Sequence, residues 1–128
     1  MQERERRSLV LSEQTFPIIE QITAGMPGGF FIYHADGNEE LIYANQALIR
    51  IYGCEDLADF QQLTGYTFPG LVHPEDWERV SAAIDQQIAG SDEGLDYVEY
   101  RVRRKDGEIR WIEDYGHFVH TELYGDVF

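Results

Sequence analysis

The side chains best suited to hold a metal are His117 and His120 of "HFVH", with Glu113, Asp114 and Glu122 close by in the sequence. Zinc needs nitrogen and carboxylate ligands that converge on one point. On an extended strand, residues three apart have opposite parity and project to opposite faces, so this pair does not chelate without a bulge. Glu113 and Asp114 fail as an acid/base pair on one substrate for the same reason. Charged surface is their expected role. His73 stands just ahead of Pro74, where a local hydrogen bond at a helix start is expected rather than a ligand contact. Cys54 is the single cysteine, which excludes an intrachain disulfide and fits a small buried hydrophobe. No Gly-x-Ser-x-Gly elbow or phosphate loop occurs, so no catalytic residue and no metal ligand is assigned, and the chain is not expected to be an enzyme.

The other conspicuous chemistry is positive charge in "YRVRRKDGEIRW", with Arg101, Arg103, Arg104 and Lys105 in one short run. The whole chain has 10 Lys and Arg against 24 Asp and Glu, a formal net charge of −14. Such a field repels phosphate backbones and anionic lipid, which argues against nucleic acid or a membrane surface as a partner. The run alternates with Tyr100 and Val102, so Arg101 and Arg103 share one face of a strand, whereas Arg104 is expected to point clear of the core. Its expected role is charge balance against carboxylates of this chain or a partner. The start, "MQERERRS", lacks the apolar core of a signal peptide, and no later apolar run approaches the ~20 residues that span a bilayer. A cytoplasmic location is the expectation.

These residues need elements to position them. Phe16, Ile19, Ile22 and Met26 recur at helical intervals before Gly25, Pro27, Gly28 and Gly29 break the pattern, which predicts an amphipathic helix and a hinge. Residues 30–34 and 41–44 flank Asp36-Gly37-Asn38 and predict a hairpin. Asn45 caps "QALIRIY", with Leu48, Ile51 and Tyr52 on one face; capping alone is worth about 1 kcal/mol. Leu57, Phe60 and Leu63 predict a further short helix, and "TGYTFPGLV" predicts an inward-packing loop. "HPEDWERVSAAIDQQIAG" is the clearest helix, with Pro74 at its start and a stripe of Trp77, Val80, Ile84 and Ile88. A long hairpin then turns at Asp106-Gly107, through either two or three residues. Helices grouped between hairpins predict an α+β fold.

"IYAN" leading into "QALIRIYG", "HPEDW" opening the long helix, and "YRVRRKDGEIRW" followed by a strand resemble the PAS domain, a sensory module of bacterial signalling proteins. The resemblance covers residues 29–128 and implies a PAS-like five-stranded antiparallel sheet with helices packed on one face. It divides the chain into a charged tail, 1–13, a flanking helix and hinge, 14–28, and the PAS domain, 29–128. The family's last strand lies centrally, beside the first, and "GDVF" supplies only its beginning, as in a fragment of a longer protein. A strand from a neighbouring chain or from residues 9–11 is expected to fill the gap.

The resemblance also implies a ligand cavity between helices and sheet. Its expected lining is drawn from Ile32, Tyr43, Leu48, Tyr52, Phe60, Phe68, Leu71, Trp77, Val80, Ile84, Tyr100 and Trp111. Apolar walls with phenol and indole handles suit a small ligand, although the same side chains can simply fill a core. The cofactor is unknown. Haem is not expected, because the long helix holds no histidine, nor is covalent flavin chemistry, because Cys54 lies in "GCEDLADF" rather than an Asn-Cys-Arg-Phe type motif. The expected function is a sensory or regulatory module of a bacterial signal-transduction protein, such as a diguanylate cyclase or histidine kinase, relaying to an output domain beyond residue 128. A homodimer is expected through the N-terminal helix or strand exchange. The alternatives are a dimerisation-only module with a filled core and, more distantly, a cone-shaped enzyme of the ketosteroid-isomerase type, which requires a buried acid with a shifted pKa.

Overall fold

The computed structural model describes residues 16–24 and 28–128; the charged tail, residues 9–11 and residues 25–27 of the hinge lie outside them. The first element is helix α1, Phe16–Ala24. Its buried positions are Ile19 and Thr23, whereas Ile22 is 61% exposed and so does not belong to the inward stripe that its spacing suggests. The hairpin follows as β1, Phe31–Tyr33, and β2, Leu41–Ala44, with a register irregularity between Ile32 and Tyr33.

Asn45 adopts extended backbone and accepts from the Leu48 amide, starting α2, Gln46–Ile51. Asp56 repeats this device for α3, Leu57–Thr64, by accepting from the Asp59 amide. Here the buried residues are Phe60 and Thr64, one turn apart, and Leu57 and Leu63 are partly exposed rather than core. The predicted loop contains a single helical turn, α4, Phe68–Leu71, capped by Thr67, and it sends Phe68, Leu71 and Val72 inward. A 3-10 turn, Pro74–Asp76, leads into α5, Trp77–Ala89. Val80 and Ile84 are its buried stripe, with Trp77 and Ile88 packed at its margins.

The remaining strands are β3, Leu95–Arg103, β4, Ile109–His117, β5, Val119–Thr121, and β6, Gly125–Val127. Strands pair as three antiparallel ladders, β1 with β2, β3 with β4 and β5 with β6, which is coarser than the expected five-stranded sheet. The chain end nevertheless lies beside the first strand. Tyr33 and Phe128 exchange both backbone hydrogen bonds at 2.9 Å, and Val127 bridges to His34. Three-residue β6 is too short to run the length of β4, which pairs only with β3 among the described residues.

Helix α5 and the turn before it seal the other edge of β3. Gln87 presents its side-chain amide as a strand would, accepting from the Tyr97 amide at 2.8 Å and donating to the Tyr97 carbonyl at 2.9 Å. Arg79 donates to the Glu99 carbonyl, and Asp76 accepts from the Arg101 amide. An edge closed this way offers no template to another chain.

Candidate functional site

Every second residue of β3 is buried, beginning with Asp96 and continuing through Val98, Tyr100 and Val102. The turn that follows has three residues, Lys105, Asp106 and Gly107: the Arg104 amide donates to the Glu108 carbonyl, and the Gly107 amide to the Arg104 carbonyl, each at 2.9 Å. This length sets the register. Tyr100 lies opposite Ile112, Val98 opposite Asp114 and Asp96 opposite Gly116, so the inward face of β4 consists of Ile112, Asp114 and Gly116.

Trp111 is therefore corrected. It has the other parity, is 67% exposed, and stacks beneath the Arg101 guanidinium at 5.8 Å instead of lining the interior. Ile32 and Tyr43, which pair across the first hairpin, also leave the candidate lining. Tyr43 packs on Phe16 at 5.0 Å and donates to Glu20 at 2.7 Å, so this face of the hairpin is covered by α1. Leu48, Tyr52, Phe60, Phe68, Leu71, Val80, Ile84 and Tyr100 do meet in one core cluster, with Trp77 packed against it.

Of the polar members of that interior, sequence reasoning named Tyr52 and Tyr100 and missed Tyr33, Asp96 and Asp114. Tyr33 is buried, stacked on Phe68 at 4.4 Å and on Phe128 at 5.3 Å. Tyr100 donates its hydroxyl to Asp114 at 2.7 Å, and Tyr52 donates to the Leu71 carbonyl at 2.9 Å. Asp96 is 7% exposed and its Oδ2 is buried without a hydrogen-bond partner. Its carboxylate lies over the Gly116 backbone, where an added Cβ would come within 2.6 Å of that oxygen.

Burial pushes the Asp96 carboxyl up to about 6, aided by the charge on Asp114. Burial raises Asp114 as well, against the Tyr100 hydrogen bond, which favours its ionised form. Burial, and then these two acids, hold the Tyr33 phenol far above its usual range. Parity was the available signal for Asp96, which stands two residues before Val98. Asp114 followed only once the turn length was known.

The basic run acts elsewhere. Arg101 grips Asp76 with Nη2 on Oδ1 at 2.6 Å and Nε on Oδ2 at 3.1 Å. Lys105 holds Asp59 at 2.7 Å. Arg104 does not point clear of the core: its Nη1 donates to the Ile51 carbonyl at 2.8 Å, at the end of α2. His73 accepts from the Glu75 amide, the local helix-starting bond expected of it. Cys54 is buried, and burial raises its thiol. Among the described residues no group of three His, Cys, Asp or Glu is placed to hold a metal, and no helix is long and apolar enough to cross a membrane.

With this geometry in place, the comparisons decide the family. A model of the PAS fold matches residues 41–124. The chain belongs to the PAS fold family. Among solved PAS structures, a domain from Colwellia psychrerythraea is 23% identical, with a TM-score of 0.59 over 86% of this chain and 92% of that one. A PAS domain from a two-component sensor histidine kinase is 17% identical, with a TM-score of 0.60 over 91% and 93%. The Rhodobacter sphaeroides LOV protein is 15% identical, with a TM-score of 0.63 over 91% of this chain and 65% of that one. Identities this low concern the fold. The comparison with curated proteins gave no match.

Asp76 gives this PAS domain a testable acid limit. Hydrogen bonds from Arg101 hold its carboxyl well below the usual carboxylate range, outweighing burial. A depressed folded-state pKa contributes stability that is present above the unfolded value, near 4, and is lost as pH falls. Asp76→Ala is expected to lower the urea midpoint at pH 7, and its gap from the parent to shrink as the pH drops below about 4. Unfolding curves at both pH values check this; a gap independent of pH would show that the ion pair is not its source.

Proposed function

We propose that the chain is a cytoplasmic sensory or regulatory PAS module that binds a small ligand or partner and relays a shift in sheet or flanking-helix packing to an output domain of a longer protein. A diguanylate cyclase or a histidine kinase is the kind of output this reading favours. The observation that carries it is Asn45, which connects the flanking helix to the fold at a fully buried position. Its Oδ1 accepts from the Phe30 amide at 2.9 Å and from the Leu48 amide at 3.0 Å, while its Nδ2 donates to Thr23 of α1 at 3.1 Å. Leu48 and Phe68 belong to the same interior cluster as Tyr33, so a change there has a short packed route to α1.

The enzyme reading gains the buried acid that it required. Two clefts that open at the surface are lined around Leu71, His73 and Arg103, and around Asp56, Asp59 and Lys105, and neither of these is lined by Asp96 or Asp114. The test is thermal stabilisation by a metabolite panel, followed by hydrogen exchange of the α1 amides with any compound that stabilises. Ligand-dependent protection or release of α1 is expected. Binding with no change in α1 would remove the relay.

Dimerisation is the second reading, favoured by Ile18 and Ile22, 49% and 61% exposed on α1, and by the side of β4 that has no partner strand among the described residues. Strand exchange at β4 or helix packing through α1 accounts for each feature. Light scattering on the whole chain and on one starting at Gly28 separates them: only helix packing is lost with the truncation, and a monomeric parent removes both.

A further inference from the structure

We propose that the interior between β1, β3 and β4 is a binding site for a small organic cation, a protonated amine with an apolar body, held by Asp96 and Asp114. This deepens the sensing reading and rests on it. Three observations carry it. Asp96 is nine-tenths buried, and one of its oxygens has no hydrogen-bond partner. Native interiors rarely leave a buried polar atom this way, and a buried carboxylate with neither donor nor counter-charge is costly. Its register neighbour is Gly116, so the backbone leaves room for the carboxylate at this point and a Cβ would displace it.

The second observation is charge. Asp114 lies diagonally across the ladder from Asp96, and Glu39 of the first hairpin and Asp85 of α5 are close enough to bias the same Tyr33 hydroxyl. No Arg, Lys or His of the described residues forms an ion pair with any of these four acids. Glu39 and Asp85 thus extend the negative potential from the interior towards the surface, a field that concentrates cations.

The third is the donor and wall chemistry. The Tyr33 ring belongs to a stack with Phe31, Phe68 and Phe128. Carboxylate oxygens accept from an ammonium, and aromatic faces attract the same charge. A divalent metal ion suits the set less well, because no third ligating side chain joins the two aspartates. Asp96 must be ionised to serve; burial pushes its carboxyl up to about 6, so the ionised form predominates at neutral pH and becomes the minor form towards pH 5.

The experiment titrates the whole chain with n-butylammonium and phenethylammonium, against 1-butanol, phenethyl alcohol and 3-phenylpropionate, and follows the melting temperature and the heat of binding. Saturable stabilisation by at least one ammonium and by none of the controls is expected, weakened about tenfold between pH 7 and pH 5 by protonation of Asp96. Asp96→Asn, which keeps the shape, should lower the affinity at least about tenfold while remaining folded, and Asp114→Asn should lower it too. Equal affinity in Asp96→Asn, or no saturable response to either ammonium, overturns the assignment. If instead a neutral or anionic metabolite stabilises the chain, the cation site falls and the sensing reading stands. If no compound of either panel binds, both fall.

Discussion

Asn45→Ala is expected to destabilise the fold by about 3 kcal/mol, well beyond the ~1 kcal/mol of a helix cap. The side chain is 0% exposed, and its oxygen serves two amides that belong to different elements. Alanine leaves both amides without an acceptor where water has little access, and each such loss costs about 1–3 kcal/mol. It also frees Thr23, whose hydroxyl otherwise donates to the Ile19 carbonyl at 2.9 Å while accepting from Asn45. Asn45→Asp keeps the two acceptor bonds but loses the donor to Thr23, so it should fall between the parent and the alanine variant. Chemical denaturation of the three proteins measures the order, and hydrogen exchange should show α1 opening before the sheet in Asn45→Ala. A loss of 1 kcal/mol or less would reduce Asn45 to a cap and leave α1 held by other contacts.

The route from sequence to this geometry was direct wherever a local pattern fixed the outcome. Asn45 caps its helix because a short polar side chain competes for the first free amides, which requires only neighbours in sequence; the same device at Asp56 and Thr67 went unread, and at Thr67 the segment reads as a loop. The alternation of β3 placed Val98, Tyr100 and Val102 inward for an equally local reason. Patterns that depend on which face meets which element were less secure. Ile22 and Leu63 sit at helical spacing from buried residues but on the margin of the stripe, where the partner surface decides exposure. Trp111 turned outward because a three-residue turn, rather than a two-residue one, set the parity of β4, and one residue of slip moves every side chain to the other face.

The candidate site was the least legible part for a different reason. An acid at an inward position contradicts binary patterning, so Asp114 reads as charged surface in a chain with so many carboxylates, and Asp96 is passed over. Their burial is set by two long-range facts that no local window contains, the hairpin register and the covering of β3 by α5. Departures of this kind concentrate where a fold carries function.

Asp96→Asn is therefore expected to stabilise the protein at neutral pH, by on the order of 2 kcal/mol, and to lose that advantage in acid. The folded-state pKa of Asp96 is raised, to about 6, above its unfolded value near 4. Between those values the folded chain holds a proton that the unfolded chain has released, so stability contributed by the protonated carboxyl is complete below about 4 and is lost as pH rises through 6. Asparagine has no such transition: it resembles the protonated acid at every pH. The two proteins should accordingly have similar urea midpoints at pH 4 and diverge between pH 4 and 7, with the variant the more stable. Asp114 perturbs the same titration through its own raised pKa, so the window reports the pair, with the isosteric change at Asp96 removing the partner that has no hydrogen-bond donor. Destabilisation by Asp96→Asn at neutral pH would mean that the carboxylate has a donor or counter-charge in the folded protein, and the interior would no longer want for a cation. Stabilisation with the stated pH profile would identify Asp96 as a group whose ionised form the fold tolerates at a cost in stability, which is the condition under which a bound ammonium can alter the packing around Tyr33 and Tyr100.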